Sequence, residues 1–233
     1  MANSMSISTA SFRRDRARRG GLATALALLL TACSSDQTSD WGDVASLMMQ
    51  TIRFGRSGIT LEQASAIPYA SIGVRVDNSS EFLLVLATSA GNDQLWTSAS
   101  HVVLLIHNGR IVRTAGLDHN LTESRTIDGE RGAPSISAGA ASRWEMDFAD
   151  ASLYSVVVRC TSVVRGPETV KNFSVDIPTI HVDEECRADQ IDWSYTNSYW
   201  ISPKTGLTWR TIQYVSPKLG PIEIEILRPP GAG

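Results

Sequence analysis

Enzyme signatures are missing from this 233-residue chain. It has no GxSxG elbow, no HExxH, no Walker loop and no GxGxxG after a strand, so none of the common hydrolase, zinc-peptidase or nucleotide-site motifs marks a function. Three cysteines and four histidines are too few and too scattered for an evident metal cluster. Cys160 and Cys186 lack the close spacing of a CxxC redox or zinc pair. His101 and His107 share strand parity, but six residues of extended chain hold them about 20 Å apart, which favours two edge histidines over a shared metal. No internal repeat is present. The longest uncharged apolar run, Gly21 to Ala32, makes a helix of roughly 18 Å against a hydrocarbon core of ~30 Å. A transmembrane helix is therefore the weaker reading of that run.

What is there instead is an export signal. Arg13, Arg14, Arg16, Arg18 and Arg19 form a basic n-region, relieved only by Asp15, ahead of the apolar run. The run ends in Leu30-Thr31-Ala32-Cys33, which resembles the lipobox of bacterial lipoproteins. Small residues before the cut suit a peptidase site, and the Cys33 thiol accepts the diacylglycerol. The reading is thus a signal peptide over 1–32, a lipidated Cys33 with a flexible tether over 33–41, and a single β-rich periplasmic domain over 42–233. An ordinary secretory signal with a coincidental cysteine is the alternative, and Arg13-Arg14 invites a twin-arginine reading that the following residues fit poorly. By the same resemblance, Ser34 after the cysteine permits sorting to the outer membrane, where Asp would favour the inner. Several acyl chains on Cys33 would hold the protein stably to the membrane.

A basic surplus is also missing. Removing residues 1–32 takes away five arginines and one aspartate, leaving 16 basic against 23 acidic side chains and a net charge near −7. Nucleic acid, which needs a basic face, is not an expected partner. In an oxidising periplasm Cys160 and Cys186 are a disulfide candidate, closing a loop of about 26 residues worth on the order of 3 kcal/mol; two reduced, buried thiols are the alternative.

About 200 mature residues suffice for one domain with a substantial core. A helix is expected from about Asp43 to Phe54, where Val44, Leu47, Met48 and Ile52 recur near helical spacing. The rest reads as short strands parted by Gly, Asn, Ser and Asp. The clearest hairpin joins Val102–Ile106 to Ile111–Thr114, because Asn108-Gly109 supplies the positive φ of a type I′ turn. Ile222, Ile224 and Ile226 alternate with Glu223 and Glu225, the pattern of a half-buried strand. Ser124 to Ala141 reads as a long loop, Arg165-Gly166-Pro167-Glu168 as a turn, and Thr169 to Ile177 as its return strand. The fold class is mainly β, an antiparallel meander forming a β-sandwich or barrel-like domain with a short N-terminal helix.

Few groups suggest chemistry. Asp183-Glu184-Glu185 beside Cys186 suits a hard cation or, more simply, a solvated acidic turn. Glu145 and Asp147 share a strand face, as a glycosidase pair would, but nothing marks a sugar site beside them. Trp193, Tyr195, Tyr199, Trp200, Trp209 and Tyr214 crowd the last quarter of the chain. By parity Trp193, Tyr195 and Tyr199 face one way, as core filling, and Trp200 the other. Trp200, Trp209 and Tyr199 are the candidates for glycan or partner contact. No catalytic residue, metal or cofactor is expected.

Several segments carry a family resemblance. Asn108-Gly109-Arg110-Ile111-Val112-Arg113-Thr114-Ala115-Gly116-Leu117 is similar to the central signature of the YjbF/GfcB family of lipoproteins. So is the tail from Trp200-Ile201-Ser202-Pro203-Lys204-Thr205-Gly206 through Gln213, with Ile226-Leu227-Arg228-Pro229-Pro230 behind it. The lipobox and Pro68-Tyr69-Ala70 fit the same order. The resemblance implies a role in making or exporting extracellular polysaccharide, group 4 capsule included, alongside an outer-membrane β-barrel protein and a periplasmic component of the same pathway. It carries over no catalytic residue. The expected function is an outer-membrane lipoprotein assisting exopolysaccharide or capsule export as a non-catalytic binding component, possible glycan contact included. A polysaccharide-modifying enzyme and a structural envelope lipoprotein unrelated to glycans are the alternatives.

Overall fold

The computed structural model describes residues 58–231. The signal peptide, Cys33, the tether and the helix expected at Asp43–Phe54 lie outside these residues. A five-residue helix, α1 (Leu61–Ser65), opens the described chain. Thr60 caps it: its hydroxyl accepts from the Gln63 N–H while the Gln63 side chain accepts from the Thr60 N–H. That reciprocal pair is a capping box, of the Ser/Thr-x-x-Glu/Gln kind, formed by Thr60 and Gln63.

Twelve strands follow: β1 (Ser71–Val76), β2 (Phe82–Ala90), β3 (Asp93–Thr97), β4 (Val103–His107), β5 (Arg110–Ala115), β6 (Glu123–Asp128), β7 (Ala141–Phe148), β8 (Leu153–Asn172), β9 (Val175–Ala188), β10 (Trp193–Ile201), β11 (Thr208–Gln213) and β12 (Ile222–Arg228). They form one antiparallel sheet in the order β5-β4-β3-β2-β1-β12-β11-β10-β9-β8-β7-β6. First and last strands pair in the middle of that order, so its two edges, β5 and β6, are consecutive in the chain. Those edges meet where the Thr114 N–H donates to Leu121 O at 2.9 Å and where Arg113 bonds Glu123. The result is a nearly closed barrel, one sheet curled on itself instead of two stacked sheets. Closure disposes of exposed edges, which otherwise recruit other chains.

Alternation decides what fills the barrel. Leu84, Leu104, Trp144, Val158 and Ile222 all lie inward and fully buried. Burying each such side chain contributes about 1.5–3 kcal/mol. The Asn108-Gly109 hairpin forms as expected, with φ of 45° and 82° at the two turn residues. Ser124 to Ala141 divides differently: β6 takes the stretch to Asp128, and only 129–140 is loop. That loop crosses one end of the barrel. The Ala133 N–H donates to Asn108 O, and Ser162 bonds Gly139 and Ala140.

The largest departure concerns Arg165-Gly166-Pro167-Glu168, which is a bend within one strand. β8 runs on to Asn172 and reverses at Phe173-Ser174 into β9. The register slips between Val164 and Gly166, and Gly166 adopts φ 121°, a value that only glycine takes readily. Residues 166–181 therefore form a two-stranded arm. Its tip, at Val170 to Phe173, packs over the outer wall of β1, β11 and β12.

Candidate binding sites and the polar heart of the barrel

Arg110 projects from the start of β5 into the barrel interior, where its terminal nitrogen lies 2.7 Å from both oxygens of Glu184 on β9. Both side chains are almost fully buried. A lone charge there would be costly, so each member needs the other and further partners. Arg110 Nε donates to Gly132 O, and the guanidinium lies 4.2 Å from the Trp144 ring centre and 5.6 Å from that of Tyr199. Ser142 donates to Glu184 at 3.1 Å and accepts from the Trp144 indole N–H. Burial alone would lower the Arg110 pKa, but the Glu184 carboxylate outweighs it and the guanidinium stays charged. Burial raises the Tyr195 and Tyr199 hydroxyls above the usual tyrosine range.

Gln213 on β11 extends this network to the barrel end. Its oxygen accepts from the Ile111 N–H at 3.0 Å and its amide donates to Gly109 O at 2.8 Å. The segments 108–117 and 200–213, about a hundred residues apart in the chain, therefore lock together. A Cβ on Gly109 would sit 2.5 Å from Thr208 Oγ1, so the close approach of the two turns requires glycine.

The acidic triplet Asp183-Glu184-Glu185 is neither turn nor cation site. It lies within β9, whose alternation separates its members. Glu184 points in to Arg110. Asp183 points out and bonds Ser198 at 2.6 Å, Arg165 at 2.7 Å and His181 at 3.0 Å. Cys160 and Cys186 face each other across β8 and β9 and are joined as a disulfide. The group of possible metal ligands found among the described residues, Cys160, Glu184 and Cys186, is thus fully engaged by the disulfide and by Arg110. Glu145 and Asp147 on β7 both bond Arg125 of β6. The Ser155 N–H and Arg125 hold the Asp147 carboxyl below its usual value. His107 bonds Asp93, and His101 sits in the β3–β4 turn with φ 65°.

The three aromatic contact candidates separate. Tyr199 is fully buried inside the barrel. Trp200 does lie on the outer face, yet only 6% of it is exposed. It is stacked on His181 at 4.4 Å between ring centres and faces Arg210 on its other neighbour strand at 4.8 Å. Neither presents a ring to solvent. Trp209, half-buried, lines a cleft of about 220 Å³ between the arm tip and the outer wall. Arg75, Glu81, Lys171 and Glu225 complete its charged lining. Burial raises the Glu225 carboxyl above its usual value, and Arg210 only partly counters that.

A second cavity, about 210 Å³, opens at the barrel end between the Asn108-Gly109 turn and the β10–β11 turn. Its wall is Ile72, Trp96, Ile106, Leu207, Ile224 and Ile226, with Gln94 and several threonines at its rim. Sequence reasoning missed this cavity, because strand order alone brings β1, β3, β4, β11 and β12 together there.

Comparison with known proteins gives one family. The model of the group 4 capsule polysaccharide lipoproteins GfcB and YjbF matches residues 49–227. The uncharacterized lipoprotein GfcB of Escherichia coli K12 is 27% identical over 213 residues, covering 87% of this chain and 95% of that protein. The uncharacterized lipoprotein YjbF of the same organism is 26% identical over 208 residues, covering 87% and 94%. Among solved structures, the hypothetical lipoprotein YmcC of E. coli superposes with a TM-score of 0.71 at 23% identity, covering 84% of this chain and 98% of that one, which establishes a shared fold.

Proposed function

Because the chain belongs to the YjbF/GfcB family of group 4 capsule polysaccharide lipoproteins, we propose that it assists export or assembly of an extracellular polysaccharide as a binding component and not as a catalyst. Lipid on Cys33 tethers it to the outer membrane, facing the periplasm. Its partners are the outer-membrane barrel protein and the periplasmic component of the same pathway. The observation that carries the binding role is the arm cleft. There an accessible indole, Trp209, sits among two cations and two carboxylates, the mix of apolar face and polar groups that suits a sugar ring. The middle of the barrel, by contrast, is filled by side chains and an internal ion pair. The enzyme alternative draws no support from Glu145 and Asp147, which share one arginine.

The test is a deletion strain restored with the native gene, with Cys33→Ala or with Trp209→Ala, measuring secreted and cell-bound polymer. Native complementation is expected to restore polymer, Cys33→Ala to fail, and Trp209→Ala to restore it in part. Unchanged polymer in the deletion strain, under conditions where the wild type makes it, rejects the reading.

A further inference from the structure

The cavity at the barrel end is chemically unlike the arm cleft. Among its lining residues there is no charged side chain, whereas the cleft carries four. Six apolar side chains form its wall, and Gln94, Asn108, Thr205, Thr208 and Thr211 place amide and hydroxyl groups around them. An uncharged lining disfavours an ionic ligand, because a charge brought there leaves water without a partner. Five polar side chains at the rim equally disfavour a plain hydrocarbon. The ligand that matches is a neutral ring with apolar C–H faces and several hydroxyls. At about 210 Å³ the space is smaller than the roughly 300 Å³ at which sites for drug-sized molecules begin, so it suits one ring and not a chain.

Two further observations point the same way. Trp96, which forms part of the wall, keeps its indole Nε1–H buried with no hydrogen-bond partner among the described residues. Buried donors nearly always have partners, so an orphan beside a cavity calls for one. The site is also rigid. Gln213 ties the β4–β5 turn to β11, Gly109 lets Thr208 approach, and Arg110 anchors the start of β5 to the far wall. Such fixed walls lower the ordering cost of binding.

We propose that this barrel-end cavity seats a single uncharged sugar residue, its apolar face against Trp96 and Ile72 and its hydroxyls on Gln94 and Thr208. The inference rests on the polysaccharide role proposed above and names a site and a sugar class for it. The arm cleft, with Arg75 and Lys171, remains the place for charged portions of the polymer.

The experiment uses the full chain in phosphatidylcholine nanodiscs. Saturation-transfer NMR would follow the methyl glycosides of glucose, galactose, mannose and N-acetylglucosamine, with glucuronic acid and decanoate as the charged and acyl probes. At least one neutral glycoside is expected to bind, and Gln94→Leu and Thr208→Val should each weaken it at least tenfold. Tyr154→Ser, at an exposed position that lines neither the cavity nor the arm cleft, should leave it unchanged. Binding of none of the neutral glycosides overturns the inference, as does binding that both cavity variants leave intact, or binding of decanoate alone. Purified polymer titrated in parallel separates the two ideas: polymer binding that depends on Trp209 but not on Gln94 sinks the cavity and leaves the broader role standing.

Discussion

Arg110 and Glu184, 74 residues apart, meet inside the barrel with one guanidinium nitrogen 2.7 Å from each carboxylate oxygen. The pair joins β5, at one edge of the sheet, to β9 on the opposite wall. Removing one partner leaves the other charge buried and unpaired. Arg110→Met or Glu184→Gln is therefore expected to destabilise the fold by about 3–5 kcal/mol in urea unfolding followed by circular dichroism. The double substitution Arg110→Met, Glu184→Met should recover a large part of that loss, since no uncompensated charge remains. Single variants within about 1 kcal/mol of wild type would show that water reaches the pair.

Cys160 and Cys186 close a loop of 26 residues within the β8–β9 hairpin. Replacing both by alanine is expected to cost on the order of 3 kcal/mol, chiefly by freeing the unfolded chain. The loss should match that of wild type treated with reductant, and reductant should not affect the double variant. Equal unfolding midpoints with and without reductant in the wild type would contradict this account.

Local features of this fold are legible in the sequence, and long-range ones are not. Asn108-Gly109 specified its own turn because both residues tolerate positive φ, and the Ile222-Glu223-Ile224 alternation specified which face of β12 is buried. The fate of Glu184 was illegible. Its neighbours Asp183 and Glu185 make it look like part of a solvated patch, and only the pleat of β9, together with a strand order that no local pattern encodes, turns it toward Arg110. Trp200 misled for a related reason. Parity gave its outward face correctly, but the bend at Gly166 turns what reads as two short strands and a turn into an arm lying over the outer wall. A glycine before a proline is as compatible with a turn as with a bulge, and tertiary packing chose the bulge.

Asp183 makes stability depend on acid. Burial would raise its pKa, but Ser198, Arg165 and His181 outweigh that and hold it below the ordinary 3.8. A carboxylate with a depressed folded pKa stabilises above its unfolded value, and that contribution is lost as pH falls from 3.8 through the lower folded value. Asp183→Asn should thus cost about 1.5–3 kcal/mol at pH 7, with the gap to wild type narrowing below pH 4. Glu225 works in the opposite sense: with its folded pKa raised, its contribution falls as pH rises through that value. Glu225→Gln is accordingly expected to be neutral or mildly stabilising at pH 7. Thermal unfolding between pH 3 and 7 checks both, and a gap for Asp183→Asn that does not change with pH would refute the assignment.

Trp200 and Trp209 are neighbours in space and should behave as opposites. Trp200 is 6% exposed and held between His181 and Arg210, so Trp200→Ala opens a cavity in a packed layer and should cost about 3–5 kcal/mol. Trp209 lines an open cleft and gives up less packing; Trp209→Ala should cost no more than about 1–2 kcal/mol while weakening retention of the polymer. Urea midpoints and polymer binding measured on the same two variants would separate the roles. A stable Trp200→Ala protein that no longer binds polymer would return Trp200 to the binding surface and imply that the arm lifts away from the wall. A Trp209→Ala protein that binds normally would remove the arm cleft from consideration.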